Sequence, residues 1–355
     1  MKIENYNVIG VMSGTSLDGI DLVYVNFSKD GKWSFLVKNS ETVGYIEKWR
    51  GILKKATHLN EVELAQLDKE YTVFLAEVIK GFKLKNNLQE IDFVASHGHT
   101  VFHKPDQGET YQIGNLPILA DLLGEKVICD FRVEDVALGG QGAPLVPIGD
   151  QLLFGEYDYC LNLGGFANIS FDDSGVRKAF DICAVNTVLN HYVAKLDLDF
   201  DDGGKMASKG AVHDGLLKEL NALEFYKKPF PKSLGIEWVE SKVFPLIDSY
   251  NKLQVVDILR TYVEHVAQQI GAVVELPSNI LITGGGAYNT FLIKRLKALT
   301  DAILIIPNKN VVEFKEAVIF ALLGVLRERN EVNCLKSITG ASKDHSSGKI
   351  YLPKS

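Results

Sequence analysis

The sequence predicts an α/β fold in two domains, and three observations predict it. A set of three β-rich segments around a glycine loop opens the chain and recurs near its middle. Amphipathic segments near the 3.6-residue helical period lie between and after these meanders, together with short apolar runs that end in polar residues. The 355 residues amount to about two domains at roughly 150 residues each.

Asn7 to Met12 is an apolar run ending in the small polar cluster Ser13 to Gly19, and Ile20 to Phe27 alternates as a strand does. The turn Lys29-Asp30-Gly31-Lys32 leads to Trp33 to Val37, which closes a three-stranded antiparallel meander. Glu61 to Phe82 brings Val62, Leu64, Leu67, Tyr71, Leu75 and Val78 near one helix face, with charges opposite. Asp92 to Ser96 reads as a buried strand ending in Ser96-His97-Gly98-His99-Thr100, and Glu125 to Cys129 as another ending in Asp130-Phe131-Arg132. Polar groups at strand ends are usual ligand positions.

The second meander comprises Tyr157 to Leu163, Phe166 to Phe171 and Arg177 to Ile182, with Gly164-Gly165 at one turn and Asp172 to Gly175 at the other. A helix is expected over Val185 to Leu196 and a long amphipathic one over Val255 to Val274, broken by Pro277-Ser278-Asn279. Ile280-Leu281-Ile282 is then a buried strand, Gly284-Gly285-Gly286 opens a helix over Tyr288 to Leu299, and Glu313 to Leu326 is a last helix-like run.

Hydrophobic residues at 46% and charged residues at 23% are those of a folded globular chain, which excludes disordered and fibrous classes. Thirty-eight basic against forty-five acidic residues leave a net charge of -7 and no broad cationic field for nucleic acid or anionic lipid. Cys129, Cys160, Cys183 and Cys334 are widely spaced, with no C-x-x-C pair and no His at ligand spacing. That pattern argues against a zinc site or disulfide framework and for reduced thiols in a cytoplasm. The first residues lack a leader-like core, and no apolar stretch approaches the ~18 residues of a membrane span.

The loop Ser13-Gly14-Thr15-Ser16-Leu17-Asp18-Gly19 offers hydroxyls and free backbone N–H groups, as wrapping an anion requires. A tight hairpin turn uses the same residue types. Asp18 and Asp21 suit the neighbourhood of a magnesium ion on a phosphate, held directly or through water. Gly164-Gly165 is a second phosphate-loop candidate, and Gly284-Gly285-Gly286 a strand-to-helix transition able to accept an anion. Three such loops without a G-x-x-x-x-G-K-[ST] motif point to a nucleotide between two like domains, against the plainer reading of three structural turns.

Asp181, after the strand Arg177 to Phe180, is placed as a strand-end general base or as a cap on the next helix. Asp130 and Arg132 suit recognition of a hydroxyl- or carboxylate-rich ligand, or else a local salt bridge. His97, His99 and His103 crowd what reads as a ligand-lining loop without metal spacing, and Asp201-Asp202-Gly203-Gly204 reads as a helix-capping turn rather than a calcium loop.

Together these residues resemble the anhydro-N-acetylmuramic acid kinases of the actin, sugar-kinase and heat-shock-chaperone superfamily. The resemblance spans nearly the whole chain and rests on Gly10 to Asp21, Ser96 to Pro105, Gln112-Ile113-Gly114-Asn115, Asp130-Phe131-Arg132 with Gly139 to Pro147, and Asn162 to Asn168. Asp202-Gly203-Gly204, Pro231-Lys232-Ser233 and Ser337 to Ala341 add to it.

It implies two ribonuclease-H-like (actin-like ATPase) domains flanking a nucleotide cleft, one from residues 1–135 plus about 325–355 and the other from 136–324. It further implies an ATP- and Mg2+-dependent kinase in which water opens the 1,6-anhydro bond of 1,6-anhydro-N-acetylmuramic acid while O6 is phosphorylated. The products are N-acetylmuramic acid 6-phosphate and ADP, in recycling of cell-wall peptidoglycan. Asp181 is then the catalytic base. Gly14, Thr15, Ser16, Leu17, Asp18, Gly19, Ile20 and Asp21, with Gly164, Gly165, Gly284, Gly285 and Gly286, hold ATP, and Asp18 stands near the magnesium, through water or directly. His97, Gln112, Asp130, Arg132 and Glu316 contact the amino sugar. A cytoplasmic homodimer with no nucleic-acid or membrane partner completes the implication. A kinase of another sugar and a nucleotide-binding, chaperone-like relative are the competing readings.

The family follows its catalytic Asp with Thr-Gly-Pro-Gly-Asn, whereas here Asp181 precedes Ile182-Cys183-Ala184-Val185-Asn186. Loss of the glycines either narrows the sugar site or starts the next helix with better helix formers.

Overall fold

Apolar and polar residues that alternate over ten or more positions can bury one face only as a sheet, and the chain opens with three such strands. These are β1 (Glu4–Ser13), β2 (Gly19–Asp30) and β3 (Lys32–Gly44), paired antiparallel in sequence order. The computed structural model describes residues 4–14 and 17–354. β3 extends past the expected Val37 because its pairing with β2 resumes after a bulge and continues to Gly44 opposite Gly19.

A helix over Glu61–Lys85 follows, started by a capping box in which Asn60 accepts from the N–H groups of Val62 and Glu63, and Glu63 accepts from that of Asn60. Its buried face is Leu64, Leu67, Tyr71, Leu75, Ile79 and Phe82, while Val62 points to solvent. β4 (Phe93–Lys104) then runs parallel to β1, and β5 (Glu109–Ile113) turns back antiparallel on it. The histidine segment is therefore strand rather than loop, because β5 supplies hydrogen-bond partners from His99 to Lys104. β6 (Val127–Cys129) lies parallel to β4.

The second meander is β7 (Tyr159–Leu163), β8 (Phe166–Asp173) and β9 (Val176–Ala184). After the helices Asn186–Val193 and Val255–Gly271, β10 (Asn279–Thr283) joins parallel to β7, and β11 (Ile303–Ile305) parallel to β10 across the helix Thr290–Leu299. The helix Lys309–Glu328 follows, and β12 (Lys349–Tyr351) pairs antiparallel with β6.

The two sheets follow one plan. The first orders β3-β2-β1-β4-β6-β12 and the second β9-β8-β7-β10-β11. Each starts from the third strand of a meander, reaches the first, and continues with two strands parallel to it. This repeated order is the ribonuclease-H-like arrangement expected of the chain.

By its contacts the chain divides into one unit of residues 1–153 and 314–355 and another of 154–313, each with its own apolar core. The breaks expected near 135 and 325 both fall inside the first unit. The helix Val146–Leu153 belongs there because Lys315 Nζ pairs with Asp150 Oδ1 at 3.1 Å in the interior. A Cβ on Gly149 would also lie 2.5 Å from the Ile319 side chain, so the two segments touch directly. Among the described residues no helix is long and apolar enough to cross a membrane.

Candidate active site

The β1–β2 turn is anchored from below. Ser13 at the end of β1 is buried, and its Oγ lies 2.6 Å from Tyr45 Oη, 3.0 Å from Tyr71 Oη and 3.0 Å from His99 Nδ1. Burial pushes His99 down to about 4, so the ring is neutral near pH 7 and exchanges hydrogen bonds rather than charge. Above this hub, the Tyr45 N–H donates to the Asp18 carbonyl and Leu17 takes a left-handed φ of 60°. Gly19 is required by space, since a Cβ there would lie 2.5 Å from the Val43 carbonyl oxygen.

Asp21 accepts a hydrogen bond from Thr42 Oγ1 and is thereby tied to the sheet, while Ile20 is buried in the core. Gly14 and Asp18 remain on the loop, and Asp18 is exposed with no hydrogen bond or ion pair from its carboxylate among the described residues. An exposed oxygen donor of this kind fits magnesium, which keeps several waters and takes few protein carboxylates. Thr15 and Ser16, also expected in this loop, lie outside the described residues.

In the second unit two glycine loops sit side by side because β7 and β10 are parallel neighbours, with Asn162 opposite Thr283. A Cβ on Gly284, where φ is +81°, would lie 2.6 Å from Asn162 Oδ1, and one on Gly286 2.7 Å from Leu163 Cβ. Gly285 opens a helical turn, whose leading N–H groups have no acceptor within the turn. Gly164 and Gly165 form the β7–β8 turn, and their carbonyls accept from the N–H groups of Asn186, Val185 and Thr187 at the start of the next helix. The N–H groups of Gly164 and Gly284 are spent on the Phe166 and Val312 carbonyls, so it is those of Gly165, Gly285 and Gly286 that fit an anion cradle.

Asp181 lies within β9 rather than at its end. Its N–H donates to the Lys232 carbonyl at 3.0 Å, and its Oδ2 accepts from the Leu234 N–H at 2.8 Å. Its Oδ1 has no hydrogen-bond partner among the described residues. Burial raises the carboxyl above its ordinary range, partly offset by the Leu234 N–H. The Lys232 ammonium is turned onto the rings of Phe225 and Phe180, at 4.8 and 5.8 Å, and so does not neutralise Asp181.

Three of the five residues expected to contact sugar are brought together in the first unit. Arg132 donates from Nε to His97 Nε2 at 2.9 Å and from Nη1 to the Gly142 carbonyl at 2.6 Å. His97 Nδ1 lies 2.8 Å from the Gly98 carbonyl, which makes Nδ1 the protonated nitrogen and Nε2 the acceptor. Burial, and then the Arg132 charge, hold His97 well below its usual range and therefore neutral. Asp130, at a left-handed φ of 57°, accepts from Asn115 Nδ2 at 3.1 Å and pairs with Lys349 at 3.0 Å. Asn115 also donates to the His97 carbonyl at 3.1 Å and is the hub of the group.

Gln112 sits apart in β5, its Nε2 donating to Thr110 Oγ1 at 2.8 Å, with Oε1 buried and lacking a hydrogen-bond partner. His103 contacts the same Thr110 hydroxyl at 3.1 Å. Glu316, on the helix Lys309–Glu328, is accessible, yet surrounding protein removes enough hydration to hold its carboxyl above the usual range. The charges of Lys315 and Arg132 act in the opposite direction. As expected, Asp201-Asp202-Gly203-Gly204 is a capping turn, with the Asp201 carboxylate accepting from the N–H groups of Met206 and Ala207.

The family model of anhydro-N-acetylmuramic acid kinase matches residues 6–353. The chain belongs to that family. Among its curated relatives, the anhydro-N-acetylmuramic acid kinase of Hydrogenovibrio crunogenus is 34% identical, over 97% of this chain and 98% of its own length. That of Haemophilus influenzae is 33% identical over 99% and 98%, and that of Methylorubrum extorquens 35% identical over 97% and 98%. Among solved structures, the ADPNP-bound activator of the 2-hydroxyisocaproyl-CoA dehydratase from Clostridium difficile aligns with a TM-score of 0.46 at 14% identity. The alignment covers 89% of this chain and 93% of that one. A ROK family glucokinase from Streptomyces griseus, in complex with glucose and AMPPNP, aligns at 0.39 and 11%, over 89% and 97%.

As a member of the anhydro-N-acetylmuramic acid kinase family, the chain departs from the common pattern just after Asp181, and the departure is strand. Ile182, Cys183 and Ala184 continue β9, and together with Val185 they are buried in the apolar core of the unit. The helix starts only at Asn186, so better helix formers do not explain the change. Two contributors escaped the sequence reading: Asn115, inside the recognised Gln112–Asn115 motif, and the Leu234 N–H, directly after Pro231-Lys232-Ser233.

Proposed function

We propose that the protein uses ATP and water to convert 1,6-anhydro-N-acetylmuramic acid into N-acetylmuramic acid 6-phosphate and ADP, in recycling of peptidoglycan. Family membership supports the substrate. The observation that carries the chemistry is Asp181: a carboxylate with one oxygen fixed by the Leu234 N–H, the other available, and a proton affinity raised by burial.

In this reading Asp181 Oδ1 takes a proton from water as the water oxygen bonds to the anomeric carbon. The bond between that carbon and O6 breaks, O6 takes the γ-phosphoryl group, and ADP leaves. Atoms balance as one sugar, one water and one ATP giving one sugar phosphate and ADP, with the proton on Asp181 released afterwards. Neutral His97 and charged Arg132, braced by Asn115 and Gly142, orient sugar oxygens, joined by Asp130, Gln112 and Glu316. Gly14 to Asp21, with Gly164, Gly165 and Gly284 to Gly286, bind ATP. Magnesium near Asp18 supplies charge neutralisation to the phosphates.

Mass spectrometry after incubation with Mg-ATP and the anhydro sugar tests the reading. A product heavier by both phosphate and water supports it, and phosphate without water overturns the coupled hydrolysis. The same reading makes the protein a cytoplasmic homodimer. The four buried, unbridged cysteines suit a reducing compartment, and sedimentation equilibrium tests the dimer.

A further inference from the structure

We propose that Asp135, Cys334 and His345 are the three protein ligands of a zinc site, its fourth position left to water, that clasps the C-terminal segment to the segment carrying Arg132. The three residues are far apart in sequence, and the spacing of the cysteines argues against zinc. The fold assembles them instead. Cys334 and His345 form an antiparallel bridge, exchanging N–H···O bonds of 3.1 Å in both directions, and such a pair places its two side chains on the same face. Asp135 comes to them from the short helix Val133–Ala137.

One donor atom from each residue lies within 4.8 Å of the others, and all three side chains are buried. Zinc bonds of about 2.0–2.3 Å in a tetrahedron set donors roughly 3–4 Å apart, so a small contraction closes the set. His345 supplies the independent observation. Its Nδ1 lies 3.1 Å from the Lys343 carbonyl and therefore carries the proton, which leaves Nε2 with a lone pair. That Nε2 is buried without a hydrogen-bond partner and lies 3.5 Å from Asp135 Oδ1.

The Asp135 oxygens are already oriented, Oδ2 by the Gly142 N–H at 2.7 Å and Oδ1 by Thr339 Oγ1 at 2.8 Å. Each keeps a further lone pair, and this outer support is usual for a metal-binding carboxylate. Nitrogen, sulfur and oxygen together suit zinc, whereas magnesium prefers oxygen donors throughout. Binding replaces the thiol proton of Cys334 with the metal and releases that proton to solvent. Because Gly142 bonds both Asp135 and Arg132, a filled site would stiffen the Arg132 guanidinium from behind.

Cobalt titration of metal-stripped, full-length protein tests the site without reference to kinase activity. The expected result is one Co2+ per chain with a thiolate-to-cobalt charge-transfer band, displaced by Zn2+ and untouched by millimolar-scale Mg2+. Cys334→Ser and His345→Gln should each weaken Zn2+ binding by more than the ~10–100-fold that loss of an outer-shell partner costs. Asp18→Ala should leave the band in place. Absence of the band in the wild-type protein overturns the proposal, as does its survival in both ligand variants. The wild-type spectrum decides by itself if a variant does not fold.

Discussion

Asp181 is a carboxylate whose proposed catalytic use and cost to folding have one origin. Burial raises its proton affinity, so between the ordinary aspartate value of 3.8 and the higher folded value the native state binds more protons than the unfolded one. Stability therefore falls as pH rises through that window and stays reduced above it. Asp181→Asn removes the charge and retains an acceptor for the Leu234 N–H. The variant should lose turnover by about 10²–10⁴-fold while keeping nucleotide binding. It should also melt higher than wild type near pH 7, with the gain vanishing at a pH below both values. Calorimetry across pH with nucleotide titration checks both halves, and a lower melting temperature at pH 7 would contradict the assignment. Asp18→Ala addresses the exposed loop carboxylate: half-saturation by Mg2+ should move to higher concentration, and an unchanged Mg2+ dependence would remove Asp18 from the metal's neighbourhood.

The elements show which information is local. Both meanders, the Glu61–Lys85 helix and the three glycine turns were legible because periods of 2 and 3.6 and turn chemistry act over a few residues. The outer half of β4 was not legible, since its strand character depends on β5 arriving after the turn Pro105–Gln107 and Gly108. The end of β9 was missed for a similar reason: Asp, Cys and Ala have little strand preference, and pairing with β8 decides. Helix-on-sheet contact yields a prediction of this kind. A Cβ on Gly10 in β1 would lie 2.3 Å from the Ala317 carbonyl oxygen, whereas one on Gly81, within the Glu61–Lys85 helix, meets nothing within 4 Å. Gly10→Ala should destabilise by about 1–3 kcal/mol, and Gly81→Ala should stabilise by about 0.5–1 kcal/mol. Urea midpoints read both, and equal midpoints would mean the Lys309–Glu328 helix does not approach β1 so closely.

At the scale of the whole molecule, a domain boundary is a statement about which contacts fail together. The plan of two like domains could be read from the repeated meander, but their limits could not, because the buried Lys315–Asp150 pair joins residues from distant parts of the chain. Removing one partner of such a pair leaves a buried charge uncompensated, at about 3–5 kcal/mol. The three tryptophans divide usefully: Trp33 and Trp49 belong to the first unit, and Trp238, packed against Phe225 and Tyr226, to the second. In Asp150→Asn carrying Trp238→Phe, the urea midpoint seen by Trp33 and Trp49 should fall steeply. In Asp150→Asn carrying Trp33→Phe and Trp49→Phe, the Trp238 midpoint should stay near that of the same background with Asp150 intact. Separate cores predict this separation, since each unit buries its own apolar surface. An equal fall in both signals would place Asp150 and Lys315 in a single cooperative unit with residues 154–313, and the boundary at 153 would then have no energetic meaning.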